Sequence, residues 1–317
     1  MNRGSALETA RAEPVVALEG VSRQFGRVKA LDDVTLRVPR GVVFGLVGVN
    51  GAGKTTLLKH VLGLLKPQSG RVRVLGRDPV ADPVGVLSRV GYLAEENDLP
   101  GWMRVGELTR YMQGFYSTWD EKYADHLLRS FELDPAAKVK HLSKGQRARA
   151  GLLVALAYRP EILLLDDPSS GLDPIVRRDI LGAIIRTISE EGRTVLFSSH
   201  LLHEVERVAD HIALLDKGRV VVADEMDRFK RSFCEVTLQF EHPLAAPPCF
   251  VDSLRWRGSG REWTAIVPGE LDDFARRAAA AGARIVARRA PTLDEIFVAQ
   301  VGPRIVRAEP ETVAAEE

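Results

Sequence analysis

One run of residues limits what this chain can fold into more than any other: Gly48-Val49-Asn50-Gly51-Ala52-Gly53-Lys54-Thr55. It fits the pattern G-x-x-x-x-G-K-[ST]. The apolar run 42–47 precedes it and reads as a strand buried on both faces, and a helical pattern over 55–65 follows. Glycine is needed where a backbone turns tightly and presents its N–H groups with no Cβ in the way. Those groups, with a helix N-terminus, form a nest for anionic oxygens. Lys54 adds a full positive charge at the β- and γ-phosphates of a nucleotide, and Thr55 offers its hydroxyl to Mg2+.

A second element stands far downstream, where the apolar run Ile162-Leu163-Leu164-Leu165 ends in Asp166-Asp167. A buried strand that ends in a carboxylate carries it to the carboxyl edge of the sheet, where the glycine-rich loop also opens. Asp166 can hold Mg2+ there, and Asp167 can polarise an attacking water. A third apolar run covers 195–197, and helical patterns over 146–158 and 174–191 separate the runs. Strands alternating with helices predict an α/β fold with a largely parallel sheet.

At 317 residues the chain has room for about two domains. Hydrophobic residues make up 45%, which supplies a sizeable core and excludes global disorder. The 44 Lys and Arg nearly balance 43 Asp and Glu, so no basic arm for nucleic acid stands out. No apolar run reaches the ~20 residues of a membrane span, and the first residues carry no apolar leader. Cys234 and Cys249 make no disulfide framework and fit a reduced, cytosolic compartment.

The pattern divides into a disordered tail at 1–13, a nucleotide-binding domain at 14–230, a small α+β domain at 231–303 and a disordered tail at 304–317. A helical subdomain at about 95–150 is inserted in the second of these, rich in aromatics: Trp102, Tyr111, Phe115, Tyr116, Trp119 and Tyr123. In the α+β domain, strands are expected at 235–240, 255–256, 263–267 and 284–287, with Gly258 and Gly260 at a turn. An alanine-rich helix at 271–281 ends at Gly282, and a last helix follows the cap residue Thr292.

Further segments resemble the ATP-binding cassette (ABC) ATPases. His141-Leu142-Ser143-Lys144-Gly145-Gln146-Arg147 resembles their LSGGQ signature, and Ser169-Ser170-Gly171-Leu172-Asp173-Pro174 their D-loop. Ser198-Ser199-His200 resembles the switch-histidine segment, and Val21-Ser22-Arg23-Gln24-Phe25-Gly26 the adenine-stacking loop. The likeness runs from residue 15 to about 227. It implies a P-loop nucleoside triphosphatase core with an antiparallel β subdomain, an inserted helical subdomain and the small C-terminal α+β domain.

The resemblance also implies a nucleotide-contacting set of Phe25, Val28, Gly48, Asn50, Gly51, Gly53, Lys54, Thr55, Thr56, Ser143, Gly145, Gln146 and Asp173. Thr55, Asp166 and Glu95 would hold Mg2+, and Asp167, His200 and Glu95 would serve catalysis. Ser143 and Gly145 open a predicted helix, an anion-binding arrangement. In the family this tip binds the γ-phosphate held by the other subunit of a head-to-tail homodimer with two ATP at its interface.

Four positions depart from the family pattern, of which Val49, in place of the common proline of the phosphate loop, is expected to be neutral. Asp167 stands where a glutamate is usual, so its arm is ~1.5 Å shorter and slow hydrolysis is expected. Glu95 replaces the Q-loop glutamine. Lys144 replaces the first signature glycine, at a cost of ~1 kcal/mol if the backbone there needs positive φ.

The resemblance implies a separate transmembrane permease at the cytoplasmic face of the membrane, received by the helical subdomain, with Trp102 and Met103 as candidate contacts. Pro291-Thr292-Leu293-Asp294-Glu295-Ile296-Phe297 resembles the ending of exporter ATPases. Two alternatives carry less support. A soluble ABC ATPase working on DNA or ribosomes would bring coiled coils, zinc modules or a second cassette. A small-molecule kinase would not need the signature or the switch histidine.

Overall fold

The computed structural model describes residues 13–96, 98–189, 192–248, 253–269 and 271–301. Both expected tails, apart from Glu13, lie outside these residues, as do Cys249 and the end of the helix expected to reach residue 191. Two compact units divide the chain, Met1–Asp224 and Glu225–Glu317. No helix among the described residues is long and apolar enough to cross a membrane.

The first unit begins with strands β1 (Val16–Phe25), β2 (Val28–Val38) and β3 (Val43–Val47). Helix α1 (Lys54–Val61), β4 (Ser69–Val74), α2 (Pro83–Leu87) and β5 (Val90–Leu93) follow. The helical insert holds α3 (Val105–Gln113), α4 (Glu121–Ser130) and α5 (Lys144–Leu156). The chain then alternates through β6 (Ile162–Asp166), α6 (Pro174–Ser189), β7 (Thr194–Ser199), α7 (Leu202–Val208), β8 (His211–Asp216) and β9 (Arg219–Glu225).

The three apolar runs become β3, β6 and β7, every residue of which is buried. They lie in one six-stranded sheet of order β5-β6-β7-β3-β8-β9. The pairs β3–β7, β3–β8, β5–β6 and β6–β7 are parallel. Register is what positions the chemistry: Val47 pairs with Ser199, and Ser198 with Asp166. The ends of β3, β7 and β6 are therefore level at one edge of the sheet, where α/β folds place their ligands.

A second sheet, β2-β1-β4, is antiparallel. Its inner face supplies Leu18, Val21, Leu31, Val34 and Leu36 to a core shared with Phe44 and Leu46 of β3 and with Leu57 and Leu58 of α1. The alternation of apolar and polar residues along β2 is what makes this face. The β1–β2 turn at Gly26 (φ 55°) brings Val28 and Ala30 toward the loop after β3.

The helical insert corrects one expectation. Met103 is not a surface contact, because it is 5% exposed and packs with Leu108 and Val139 in the insert's own core. Trp102 beside it is 72% exposed. Of the clustered aromatics, Tyr116 stacks on Tyr158 at 3.7 Å, and the Tyr158 hydroxyl donates to the Val90 carbonyl, tying the insert to β5.

The second unit contains α8 (Met226–Arg231), β10 (Phe233–Leu244), β11 (Arg255–Pro268), α9 (Leu271–Ala280), β12 (Ala283–Arg289) and α10 (Leu293–Val301). Its sheet has the order β11-β10-β12. Within β11 the chain doubles back about Gly260. Leu254 N–H donates to the Ile266 carbonyl, and a Cβ on Gly258 would meet the Glu262 carbonyl oxygen at 2.2 Å. That hairpin stands where the two glycines mark a turn in the sequence. Trp256, Trp263, Phe274 and Val236 form the core beneath it. Gly282, at φ 72°, ends α9.

Thr292 and Glu295 close α10 with reciprocal bonds: Thr292 N–H donates to Glu295 Oε2 at 2.8 Å, and Glu295 N–H to Thr292 Oγ1 at 3.3 Å. Arg289 adds a two-pronged contact to the same carboxylate and reaches Glu235, which Arg257 also pairs. Arg289, followed by the Thr292 contacts, pulls the Glu295 pKa down to about 2. A carboxylate depressed in the fold stabilises it above the ordinary value and loses that contribution as pH falls toward 2. Hydrogen exchange of the 233–301 segment in the full chain should therefore quicken as pH falls through this window, after correction for the intrinsic rate. In Glu295→Gln the same segment should be less protected at pH 7 by about 1 kcal/mol and nearly insensitive to this acid step.

Candidate functional site

The loop after β3 has the conformation its glycines imply. Gly51 (φ 81°) and Gly53 (φ 108°) occupy backbone regions closed to most side chains. A Cβ on Gly53 would stand 2.3 Å from the Ala30 carbonyl oxygen, and one on Gly48 2.4 Å from that of Leu215. The loop is thus wedged between β2 and β8, and α1 starts directly from Gly53. The first N–H groups of such a helix have no partners within it and face the loop.

Lys54 is 7% exposed, and its ammonium donates to the Gly48 carbonyl at 2.6 Å and the Val49 carbonyl at 3.3 Å. Burial pulls its pKa below the ordinary lysine value, while Asp167, Asp166 and Glu95 push it back up. Burial, with Asp166 and Glu95 adding to it, raises Tyr92 to about 12. A cleft of about 300 Å³ joins these groups, lined by Val28, Ala30, Asn50, Gly51, Gly53, Lys54, Thr55, Thr56, Glu95, Asp166 and Asp167.

Across the cleft, Thr55 Oγ1 donates to Asp166 Oδ1 at 3.1 Å. Ser198 Oγ donates to the same oxygen at 2.8 Å and accepts the Asp167 N–H at 2.9 Å. Asp167 sits at φ 45°, in the left-handed region that Asp tolerates better than most residues. His200 Nδ1 donates to its Oδ2 at 2.6 Å, while its Oδ1 is buried with no partner. A carboxylate oriented on one side by an imidazole and open on the other can hold a water. Thr55, Asp166 and Glu95 are hard oxygen donors of the kind Mg2+ takes.

In the sequence Ser198 stands only as the first residue of the switch-histidine segment, with no role of its own. Its position opposite Asp166 follows only from strand register.

The remaining expected residues stand apart from the cleft lining. Phe25 is 44% exposed at the end of β1, with the Arg23 guanidinium 4.8 Å from its ring centre, and pairs with Val28 across the turn. Ser143 and Gln146 form a capping box at the start of α5: Gln146 N–H donates to Ser143 Oγ at 3.1 Å, and Ser143 N–H to Gln146 Oε1 at 3.0 Å. Asp173 Oδ1 accepts from Ile175 N–H and Val176 N–H at the start of α6, and these bonds lower its pKa.

Lys144 is the first residue of α5 and is not among the residues with positive φ, so the anticipated strain does not arise. Its ammonium leans over Gly171, where a Cβ would meet Nζ at 2.5 Å. A second cavity of about 480 Å³ beside it is lined by Glu95, Glu96, Lys144, Arg147, Asp167 and Ser170 among others.

The model of the ABC transporter family matches residues 31–170. The daunorubicin resistance ATP-binding protein DrrA3 of Streptomyces coeruleorubidus is 33% identical over 92% of this chain and 97% of its own length. The uncharacterized ABC transporter ATP-binding protein YhaQ of Bacillus subtilis (strain 168) is 31% identical over 91% of this chain and 99% of its own. A solved ATP-binding subunit of an ABC transporter is 28% identical and superposes with a TM-score of 0.63, covering 68% of this chain and 92% of that one. A dimeric cassette bound to ADP and Pi, 24% identical, has a TM-score of 0.59 over 67% of this chain and 98% of that one, which is a likeness of fold.

Gly145 is fixed by packing as well as by any ligand, since a Cβ there would stand 2.7 Å from Val176 Cγ2. Gly145→Ala should lower stability by about 1–3 kcal/mol in thermal or urea denaturation. Adding Val176→Ala should recover most of that loss by returning the volume.

Proposed function

The chain belongs to the ABC transporter family of ATP-binding proteins, and from that premise we propose how its own residues bind ATP, hydrolyse it and pass the work to a membrane partner. The triphosphate lies on the loop from Gly48 to Thr56, with Lys54 and the Asn50, Gly51 and Gly53 backbone around it. Phe25 stacks on adenine beside Val28. Thr55, Asp166 and Glu95 hold Mg2+, which when bound screens charge on the phosphates.

Asp167 orients the attacking water through its unpartnered oxygen, and His200 holds that carboxylate and reaches the γ-phosphate. Asp serves at position 167 because the left-handed backbone there suits it, Ser198 fixes its backbone N–H and His200 fixes the short arm. The observation that carries the reading is the meeting of Lys54, Thr55, Asp166 and Asp167 on one cleft, with His200 hydrogen-bonded to Asp167.

A second copy of the chain, packed head to tail, supplies Ser143, Gly145, Gln146 and Asp173 to close each of two ATP sites. The solved dimeric cassettes of the same fold support this arrangement. The membrane path belongs to a separate permease, so the chain works at the cytoplasmic face of the membrane. The likeness to daunorubicin resistance proteins along most of the chain supports export.

Steady-state ATPase of the chain with its membrane partner tests the chemistry. Asp167→Asn should lower kcat by about a hundredfold or more with ATP binding kept, and Asp167→Glu should retain hydrolysis. Asn activity equal to the parent would remove Asp167 from the reaction. For the partner, exposed Trp102 is the test site: Trp102→Glu should reduce recovery of the chain with membranes while leaving ATP binding unchanged.

A further inference from the structure

Behind the Asp167–His200 contact lies a buried charge that neither the phosphate loop nor the signature segment uses. Glu204, in α7 and four residues after His200, is 2% exposed. Its Oε2 accepts the Ser169 hydroxyl at 2.5 Å, the length of a hydrogen bond to an ionised carboxylate. Its Oε1 lies 3.0 Å from Arg177 Nε of α6, an ion pair whose geometry makes no hydrogen bond. Arg177 in turn donates to the Leu172 carbonyl at 3.3 Å. Ser169 is itself 1% exposed.

These contacts fall on one loop. Residues 167–173 leave the end of β6, begin with Asp167 and end at Asp173 on the cap of α6. Within it Ser170 N–H donates to the Asp167 carbonyl and Leu172 N–H to that of Ser169, so a shift at Ser169 is transmitted to both neighbours. The loop and the segment after β7 are thus joined twice, once by Asp167 to His200 and once by Ser169 to Glu204. A buried carboxylate is costly unless paired, and one that binds three elements holds them in one arrangement.

We propose that Glu204, acting through Ser169 and Arg177, is a positioning residue for ATP hydrolysis: it fixes the 167–173 loop so that Asp167 keeps its place opposite the cleft. It is not in the lining of the phosphate cleft. This inference rests on Asp167 being the carboxylate that orients the attacking water. A displacement of ~1 Å at such a group costs on the order of a hundredfold in rate, so a loosened loop is read in kcat and not in ATP affinity.

The test uses the full chain and single-turnover ATP hydrolysis, with ATP affinity and thermal midpoint measured beside it. Ser169→Ala should lower the rate about tenfold or more, with ATP affinity and folding near those of the parent. Ser169→Thr, which keeps the hydroxyl, should restore the rate to within a few fold. Glu204→Gln keeps an acceptor for Ser169 but loses the ion pair with Arg177, and should fall between. An unchanged rate in both Ser169→Ala and Glu204→Gln overturns the proposal. So does a loss that only follows a loss of folded protein or of ATP affinity, which would make the cluster structural. Asp167→Asn run in parallel separates the two readings: if it hydrolyses like the parent, Asp167 is misassigned, and if it is inactive while Ser169→Ala is not impaired, only the positioning role fails.

Discussion

The Ser198 hydroxyl holds the two aspartates on which the cleft depends. It donates to Asp166 and accepts the backbone N–H of Asp167, so a single side chain on β7 fixes both residues at the end of β6. It can do so because the parallel register sets Ser198 directly opposite Asp166. The same register aligns Val47 with Ser199, which starts the phosphate loop at that level. A slip of one residue between β6 and β7 would turn Ser198 to the other face and leave Asp166 with only Thr55. The buried polar ends of these strands make such a slip costly, since Asp166 and Ser198 would lose each other as partners.

Much of this was legible in residue order because local chemistry forced it. The glycine-rich loop needs particular backbone angles, and Gly51 and Gly53 adopt them. Thr292 reads as the cap of the last helix, and it caps that helix together with Glu295. Gly258 and Gly260 mark a turn, and the chain reverses there. Each of these signals acts over a few residues and is independent of what packs from elsewhere.

The unread parts depend on neighbours distant in sequence. Met103 and Trp102 are adjacent large apolar residues, and only the insert's packing sends one into the core and leaves the other on the surface. Ser198, Ser169 and Glu204 look like ordinary polar residues near strand and helix ends, yet Ser198 bonds Asp166 and Ser169 bonds Glu204 across gaps of more than thirty residues. Gly145 reads as a ligand-contacting glycine in a signature segment, whereas Val176 of α6 leaves no room for a side chain there.

Charge gives the cleft its incompleteness. Among its lining residues one ammonium, Lys54, faces three carboxylates, Glu95, Asp166 and Asp167. A triphosphate brings several more negative charges to the same space, and Lys54 is already drawn upon by two loop carbonyls. Like charges brought this close repel one another. A divalent cation held by Thr55 and Asp166 would offset part of the excess, since oxygen donors of this kind suit Mg2+. The rest calls for donors from outside the cleft. The α5 tip fits that need, since a helix N-terminus attracts anions and a lysine follows directly on its cap. Lys144 of that tip lines a second cavity with Glu95 and Asp167, whereas Ser143 and Gly145 are in the lining of neither cavity, so these two are free to meet an anion held elsewhere, as on a second copy of the chain.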